Sequence, residues 1–125
     1  MKRSEYKEKL HELLDETIDG MSFDEQMIYT EELLLKYQIK HDDKRSGVEN
    51  KRKVWTDDQL RIILTEAPSK SNCIRFARLF HRGYGSIEQI YRWSTTAQQD
   101  IEEIRPDDKF VAQIKRVAKE LGLRG

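Results

Sequence analysis

Apolar residues recur at steps of three and four along most of this 125-residue chain, and no clear stretch alternates apolar and polar residues as a β-strand does. This spacing predicts an all-α fold with five or six helices. Two of these helices fall in residues 1–39. Gly20 is expected to end the first helix. Ser22 and Glu25 then form a capping box, which predicts that the second helix begins near Phe23.

The first two helices are predicted to form an acidic hairpin over residues 1–39. Each carries one apolar stripe. The stripes consist of Tyr6, Leu10, Leu13, Leu14 and Ile18 on the first helix, and of Phe23, Met27, Leu34 and Leu35 on the second. About 40 residues cannot bury two such stripes without a partner. The hairpin is therefore expected to pack either on the rest of the chain or on a second copy, and the sequence leaves both alternatives open.

Residues 40–53 contain a single apolar residue, Val48, among charged and polar ones. Such a composition is typical of a flexible linker. Its last three residues, Lys51, Arg52 and Lys53, form a basic cluster. We expect this segment to act as a linker that ends in a basic arm.

Three short helices are predicted within residues 54–94. Thr56 begins a second capping box at the start of the first of them. Ser71 is expected to cap the second helix and Ser86 the third. A tight turn over residues 81–85, built on two glycines, separates the last two helices. This spacing predicts a trihelical helix-turn-helix core.

Residues 95–125 are predicted to hold a polar connector followed by an amphipathic helix. Pro106 and the two aspartates after it open this helix, and Gly122 closes it. Its apolar face has the most regular spacing in the chain and consists of Phe110, Val111, Ile114, Val117, Ala118 and Leu121.

The net charge of zero conceals an uneven distribution along the chain. Residues 1–43 hold six basic and twelve acidic residues, a net charge of −6, whereas residues 44–94 hold eleven basic and five acidic residues, a net charge of +6. The remaining residues hold six of each. A basic middle segment indicates a local anionic partner. The alternative is that oppositely charged segments pair within the fold.

Several function classes are excluded by what the sequence lacks. No apolar run approaches the length of a membrane span, and the N-terminus has no apolar core of a secretory signal, so we expect a cytoplasmic protein. The single Cys73 fits a reducing compartment. His11, His41 and His81 have no zinc-ligand spacing, and no nucleophile or phosphate-loop motif is present. No catalytic activity, cofactor or metal site is expected, and a metal-dependent nuclease built from scattered carboxylates is the enzyme alternative that the sequence leaves open.

Residues 54–94 resemble the Myb/SANT-like, homeodomain-like helix-turn-helix DNA-binding domain, in its bacterial or phage form. The resemblance rests on three stretches, which are Trp55-Thr56-Asp57-Asp58, Ile74-Arg75-Phe76-Ala77-Arg78-Leu79-Phe80 and Ser86-Ile87-Glu88-Gln89-Ile90-Tyr91-Arg92-Trp93. Domains of this kind place their third helix, here residues 86–94, in the major groove of DNA.

The resemblance implies a set of DNA-binding residues. Base-edge contacts are expected from the outward side chains of the third helix, which are Glu88, Gln89 and Arg92. Phosphate contacts are expected from the turn, the start of the third helix and the middle helix, through Arg82, Tyr84, Ser86, Arg75 and Arg78. The basic cluster is expected to act as an arm that supplies further contacts through Lys51, Arg52 and Lys53.

These expectations lead to two alternative functions. The first is a sequence-specific double-stranded DNA-binding protein, a small bacterial or phage transcription regulator on the nucleoid, which dimerises through the N-terminal hairpin or the C-terminal helix. The second is a protein-interaction module, such as a phage inhibitor or adaptor that binds a host protein. Arginines that converge on one face favour DNA, and a third helix without basic clustering favours a protein partner.

Overall fold

The computed structural model describes residues 1–123, and within them the chain forms helices and turns but no strand. The prediction of an all-α fold is confirmed. The seven α-helices of this range are α1 (Arg3–Asp15), α2 (Phe23–Lys40), α3 (Asp57–Thr65), α4 (Lys70–Leu79), α5 (Tyr84–Thr95), α6 (Gln98–Ile104) and α7 (Lys109–Glu120), and a short 3₁₀ helix spans Asp42–Lys44. The additional helix α6 lies in the predicted polar connector.

The chain divides into two compact units, residues 1–37 and residues 38 onward. None of the helices in the described range combines the length and the apolar character that crossing a bilayer requires.

In the first unit, α1 ends at Asp15 rather than at Gly20. The reason is Gln26, which is 7% exposed and organises the loop between α1 and α2. Its Nε2 donates to the carbonyls of Leu14 (3.4 Å) and Glu16 (2.7 Å), and its Oε1 accepts from the amide of Ile18 (3.2 Å). The predicted start of α2 is confirmed, because both hydrogen bonds of the capping box are formed at 3.2 Å.

The core of the second unit is built by α3, α4, α5 and α7. The side chains that are most completely buried come from three of these helices and are Leu60, Ile63, Ile87, Ile90, Ile114 and Val117. Tyr91 adds a polar link, because its hydroxyl donates to the carbonyl of Ile63 at 2.8 Å. Burial raises the pKa of Tyr91 to about 12. Ile87, Ile90 and Tyr91 of α5 face this core, and Ser94 of the same helix is buried as well.

The apolar face of α7 is part of this core, as Val111, Ile114, Val117 and Ala118 are buried. Asp108 caps α7 by accepting from the amide of Val111 at 3.0 Å, and Gly122 follows its last turn with φ +77°. The predicted helix is therefore confirmed. The chain's own core covers this apolar face, and the predicted use of the helix for dimerisation stays a prediction.

A network of polar contacts fixes α7 against the start of α3. Arg116 reaches Asp57 with two hydrogen bonds of 2.9 Å. Gln113 donates to Asp57 and to the carbonyl of Trp55, each at 2.9 Å. These donors hold the pKa of Asp57 at about 2, below its ordinary value of 3.8.

Two of the predicted helix starts are wrong. α4 begins two residues earlier than expected, because the hydroxyl of Ser69 and not that of Ser71 accepts from the amide of Asn72 at 3.0 Å. α5 begins at Tyr84, so Ser86 lies inside its first turn and does not cap it. The turn before α5 is also not built on two glycines. His81 has the positive φ, +55°, and Gly85 is helical.

The segment 40–53 is not a free linker. Asn50 binds the turn before α5 twice, with its amide on the carbonyl of His81 (3.1 Å) and its side chain on the carbonyl of Phe80 (3.0 Å). Arg45 donates to the carbonyl of Arg82 at 2.7 Å. The polar residues that made this segment resemble a linker therefore donate hydrogen bonds to the backbone carbonyls of the turn before α5.

We expect Asp57→Asn to reduce the acid sensitivity of the protein. Because the pKa of Asp57 is lowered on folding, its stabilising effect is complete above 3.8 and is lost as the pH falls through about 2. Urea unfolding at a series of pH values should therefore show a smaller loss of stability over this range in the variant than in the wild type. Asp100→Asn, at an exposed position of α6, is the control. An equal acid-induced loss in the Asp57→Asn variant and the wild type would contradict the assignment.

Candidate nucleic-acid interface

A groove of about 550 Å³ runs between the basic cluster, α5 and the start of α7. Its rim carries the cations Lys51, Arg52, Lys53 and Lys109. Its polar and apolar lining is completed by Val54, Trp55, Arg82, Ser86, Gln89, Phe110 and Gln113. Among the residues that line it in the described part of the chain, none is acidic. The groove therefore combines an apolar floor with a cationic rim.

The basic cluster forms a wall of this groove because the chain turns tightly there. The amide of Lys51 binds the carbonyl of Val48, and the amide of Lys53 binds the carbonyl of Asn50, both at 3.0 Å. Arg52 has φ +72°, a left-handed conformation that the turn imposes. All three basic side chains are exposed. The predicted basic arm is thus a folded turn with its charges outward.

Arg82 is only 3% exposed, so its guanidinium is not accessible for the predicted contact with a DNA phosphate. Its guanidinium lies 3.8 Å above the ring of Trp55 and donates to the carbonyls of Lys53 (2.5 Å) and Val54 (3.3 Å). Burial lowers the pKa of Arg82, but a guanidinium stays charged at neutral pH. Arg82 is the cation that holds the basic cluster in place from beneath.

The N-terminus of α5 is occupied by a side-chain carboxylate of the same chain. Asp42 accepts from the amide of Tyr84 at 2.8 Å and pairs with Arg45 at 3.0 Å. A Cβ on Gly83 would lie 3.2 Å from the same carboxylate, so a larger residue there would require a small shift of the Asp42 side chain. The amide of Ser86 binds the carbonyl of Gly83 at 3.2 Å. The predicted phosphate contact of Ser86 through a helix-terminal amide is therefore wrong, and only its hydroxyl remains for a ligand.

Tyr84 is half-buried and packs against the core of the second unit. Burial raises the pKa of its hydroxyl. Its ring therefore contributes to the packing at the start of α5, and the groove does not include it.

The outward face of α5 carries little net charge. Arg92 forms an ion pair with Glu88 one turn earlier, and both side chains are partly exposed. Burial and, to a smaller extent, the charge of Glu88 raise the pKa of Cys73 on α4. Gln89 is exposed and lies at the edge of the groove. The outer face thus offers one amide beside the groove and one paired arginine.

Arg75 and Arg78 lie on α4 and do not line the groove. Arg75 is 3.9 Å from Glu66 and stacks on Phe76 at 4.9 Å, and Arg78 donates to Gln38. The arginines whose convergence on one face would favour DNA are therefore distributed over separate contacts.

Five residues that line the groove are missing from the sequence prediction, namely Val54, Trp55, Lys109, Phe110 and Gln113. The last three come from the first turns of α7, 14 to 18 residues after the end of α5. They reach the groove only because α7 packs against α3 and α5. The spacing of apolar residues along the sequence predicts a helix but not which other helices it packs against. Within the described residues, no three His, Cys, Asp or Glu side chains are grouped closely enough to hold a metal ion.

The residues that line the groove all fall within the range of the chain that matches a known protein family. Residues 49–125 match the model of the family described as the C-terminal domain of uncharacterised protein PM1205. The whole chain is similar to the uncharacterised protein PM1205 of Pasteurella multocida (strain Pm70), with 43% identity over 124 residues, which is 99% of each chain. No solved structure matches the chain.

We expect Arg82→Lys to destabilise the second unit by roughly 1–3 kcal/mol, because a tetrahedral lysine ammonium does not reproduce the planar guanidinium that stacks on Trp55 while it donates to two carbonyls. The free energy of urea unfolding, followed by circular dichroism, measures this. Arg75→Lys is the matched control, since that side chain is 58% exposed, and we expect a change within about 0.5 kcal/mol. Equal stabilities of the two variants would show that the buried guanidinium does not hold the fold.

Proposed function

We propose that this chain, which belongs to the PM1205 C-terminal domain family, is a sequence-specific double-stranded DNA-binding protein. In this proposal α3, α4 and α5 act as a Myb/SANT-like trihelical helix-turn-helix unit, and α5 enters the major groove. The protein is then a small bacterial or phage regulator that works on the nucleoid in the cytoplasm. It acts by occupying a site that transcription or another DNA process needs.

The observation that carries the proposal is the composition of the groove. Six of the eleven residues predicted for DNA binding line it, with Arg82 among them as the buried support of the others. Cations on its rim lie beside an α-helix that presents an exposed amide side chain, and none of its described lining residues is acidic. Phosphate recognition needs such a surface, because the release of counterions by lysine and arginine supplies most of the affinity for DNA.

The contacts divide into two kinds with different consequences. The rim cations Lys51, Arg52, Lys53 and Lys109 neutralise backbone phosphates, which fixes the position of the protein but reads no sequence. Gln89 stands at the edge of the groove, and a glutamine can bind the N6 and N7 edge of adenine with two hydrogen bonds. Arg92 contributes to base reading only when it leaves Glu88, so the specificity of the proposed complex depends mainly on Gln89.

The groove also defines a role for α7 that the helix-turn-helix unit alone does not include. Lys109 extends the rim, and Phe110 provides an apolar surface beside it. A DNA strand presents phosphates alternating with the less polar faces of its sugars, which fits a cationic rim above an apolar floor. The proposed interface therefore spans α5, the basic cluster and the start of α7.

Lys109→Ala should weaken DNA binding in a manner that depends on salt. Loss of one phosphate contact lowers the slope of log affinity against log salt concentration by about 0.9. Fluorescence anisotropy with a mixed-sequence duplex, titrated at several salt concentrations, measures the slope. Lys119→Ala, a lysine of α7 outside the groove, is the control and should keep the wild-type slope.

An unchanged slope in Lys109→Ala, with DNA binding intact, would remove α7 from the interface. The absence of any salt-dependent DNA binding by the wild-type chain would overturn the proposed function itself.

Gln89→Ala should relax the sequence preference at one base pair and leave the affinity for non-specific DNA unchanged. A bidentate contact of this type is worth about 1–3 kcal/mol of discrimination against the wrong base. Selection from a randomised duplex pool, with wild type and variant in parallel, shows which position loses its preference. Gln99→Ala, an exposed glutamine of α6, is the control. Identical selected sequences for wild type and Gln89→Ala would contradict the reading role.

A second candidate function is a protein-interaction module in which α5 docks on a protein. Two observations favour it, namely the ion pair of Arg92 with Glu88 and the burial of Arg82, which together remove the arginine cluster expected for DNA. Pull-down of a protein from the host by the wild-type chain, lost in Gln89→Ala and unaffected by added DNA, would support this candidate over the first.

A further inference from the structure

The N-terminal unit leaves its apolar side chains uncovered. In α1, no residue is buried, and Tyr6 and Leu13 are 63% and 69% exposed. In α2, Phe23 is 74% exposed and the only buried side chain is the polar Gln26. Monomeric proteins rarely expose contiguous apolar surface of this extent, and where they do it marks an interaction site.

The loop between α1 and α2 is nevertheless well defined. Gln26 satisfies three backbone groups of residues 14–18, and the capping box of Ser22 fixes the start of α2. The unit therefore has an ordered connection but lacks the apolar core that usually accompanies one. A partner that covers the two stripes would complete it.

The charges beside the two stripes have opposite signs. On α1, Lys7 and Lys9 lie one on each side of the line formed by Tyr6, Leu10 and Leu13. The acidic residues of this helix occupy its far face and are Glu5, Glu8, Glu12 and Asp15.

On α2, the charged residues that border one side of the stripe are acidic. Asp24 and Glu31 are seven residues apart and lie along one side of the line through Phe23 and Met27. The apolar line of α1 is thus bordered by cations on both sides, and that of α2 is bordered by carboxylates on one side. Each helix is the electrostatic complement of the other, so a second copy offers both surfaces at once.

The exposed apolar side chains that lie on these two lines are Tyr6, Leu10 and Leu13 on α1 and Phe23 on α2. Two of them are aromatic, and an aromatic side chain buries roughly 150–250 Å² when fully covered. Their burial against a second copy supplies the apolar part of the contact, and the bordering charges determine which helices meet.

We propose that the N-terminal unit is a homodimerisation element, in which α1 of one copy packs against α2 of the other. Two-fold symmetry forms this contact twice, since a surface that pairs α1 with α2 also pairs α2 with α1. Lys7 and Lys9 of each copy then lie beside Asp24 and Glu31 of its partner. The proposal does not depend on DNA binding.

Sedimentation equilibrium of the full chain tests the proposal. The expected mass is twice the 14.9 kDa of one chain. Leu13→Glu places a charge in the middle of the interface and should raise the dimer dissociation constant by at least tenfold. Ile104→Glu is the matched control, because Ile104 is 62% exposed on α6, outside the unit, and should leave the mass unchanged. Circular dichroism verifies that both variants keep the helix content of the wild type.

A charge exchange tests the pairing of α1 with α2. Lys7→Glu with Lys9→Glu should weaken the dimer, because four carboxylates then meet at each contact. Adding Asp24→Lys and Glu31→Lys to the same chain should restore it, since the attraction returns with opposite sign. Chains that carry only one of these two exchanges should form a heterodimer when they are mixed.

A monomeric mass of the wild-type chain over the whole concentration range would overturn the proposal and leave the stripes to a different protein. A dimer that persists unchanged in Leu13→Glu would also overturn it, because the copies would then associate elsewhere. If Lys7→Glu with Lys9→Glu abolishes association and adding Asp24→Lys with Glu31→Lys does not restore it, the pairing of α1 with α2 would be refuted.

Discussion

The contact of Arg82 with Trp55 is the interaction on which the second unit depends most. A guanidinium buried over an indole ring is attracted to the face of the ring, and its hydrogen bonds to two carbonyls fix the chain immediately before α3. The same residue belongs to the turn before α5. One side chain therefore positions the basic cluster against α5, and the groove exists because of this connection. Moving a cation out of water costs free energy, which the ring and the two carbonyls offset here. A substitution of Arg82 therefore affects the turn before α5, the basic cluster and α5 together.

The part of the fold that the sequence predicted is the part that depends on local spacing. The apolar positions of α3, α5 and α7 recur at helical steps, and residues such as Leu60, Ile90 and Ile114 are buried as this spacing requires. The capping boxes at Ser22 and Thr56 are also local, because each joins residues three positions apart. Both were correctly predicted for this reason.

The parts that were not predicted depend on residues distant in the chain. The cap of α5 comes from Asp42, 42 residues before Tyr84, and no pattern near α5 indicates it. Arg82 stands in a glycine-containing turn, where a cation is usually exposed, and only its packing against Trp55 buries it. Within the groove, the cluster and α5 were identified as binding elements, while Lys109 depended on the position of α7. The sequence therefore indicated the chemistry of the candidate site but only part of its geometry.

The carboxylate of Asp42 at the start of α5 has a consequence for where the domain can be divided. A helix start attracts anions through its free amides, and here an anion of the same chain already occupies it. A protein shortened to begin at residue 49 would lose this internal anion together with its companion Arg45. Its α5 would present an unfilled anion site to phosphate, sulfate or nucleic acid. The ligand preferences of such a fragment would therefore belong to the fragment and not to the intact chain.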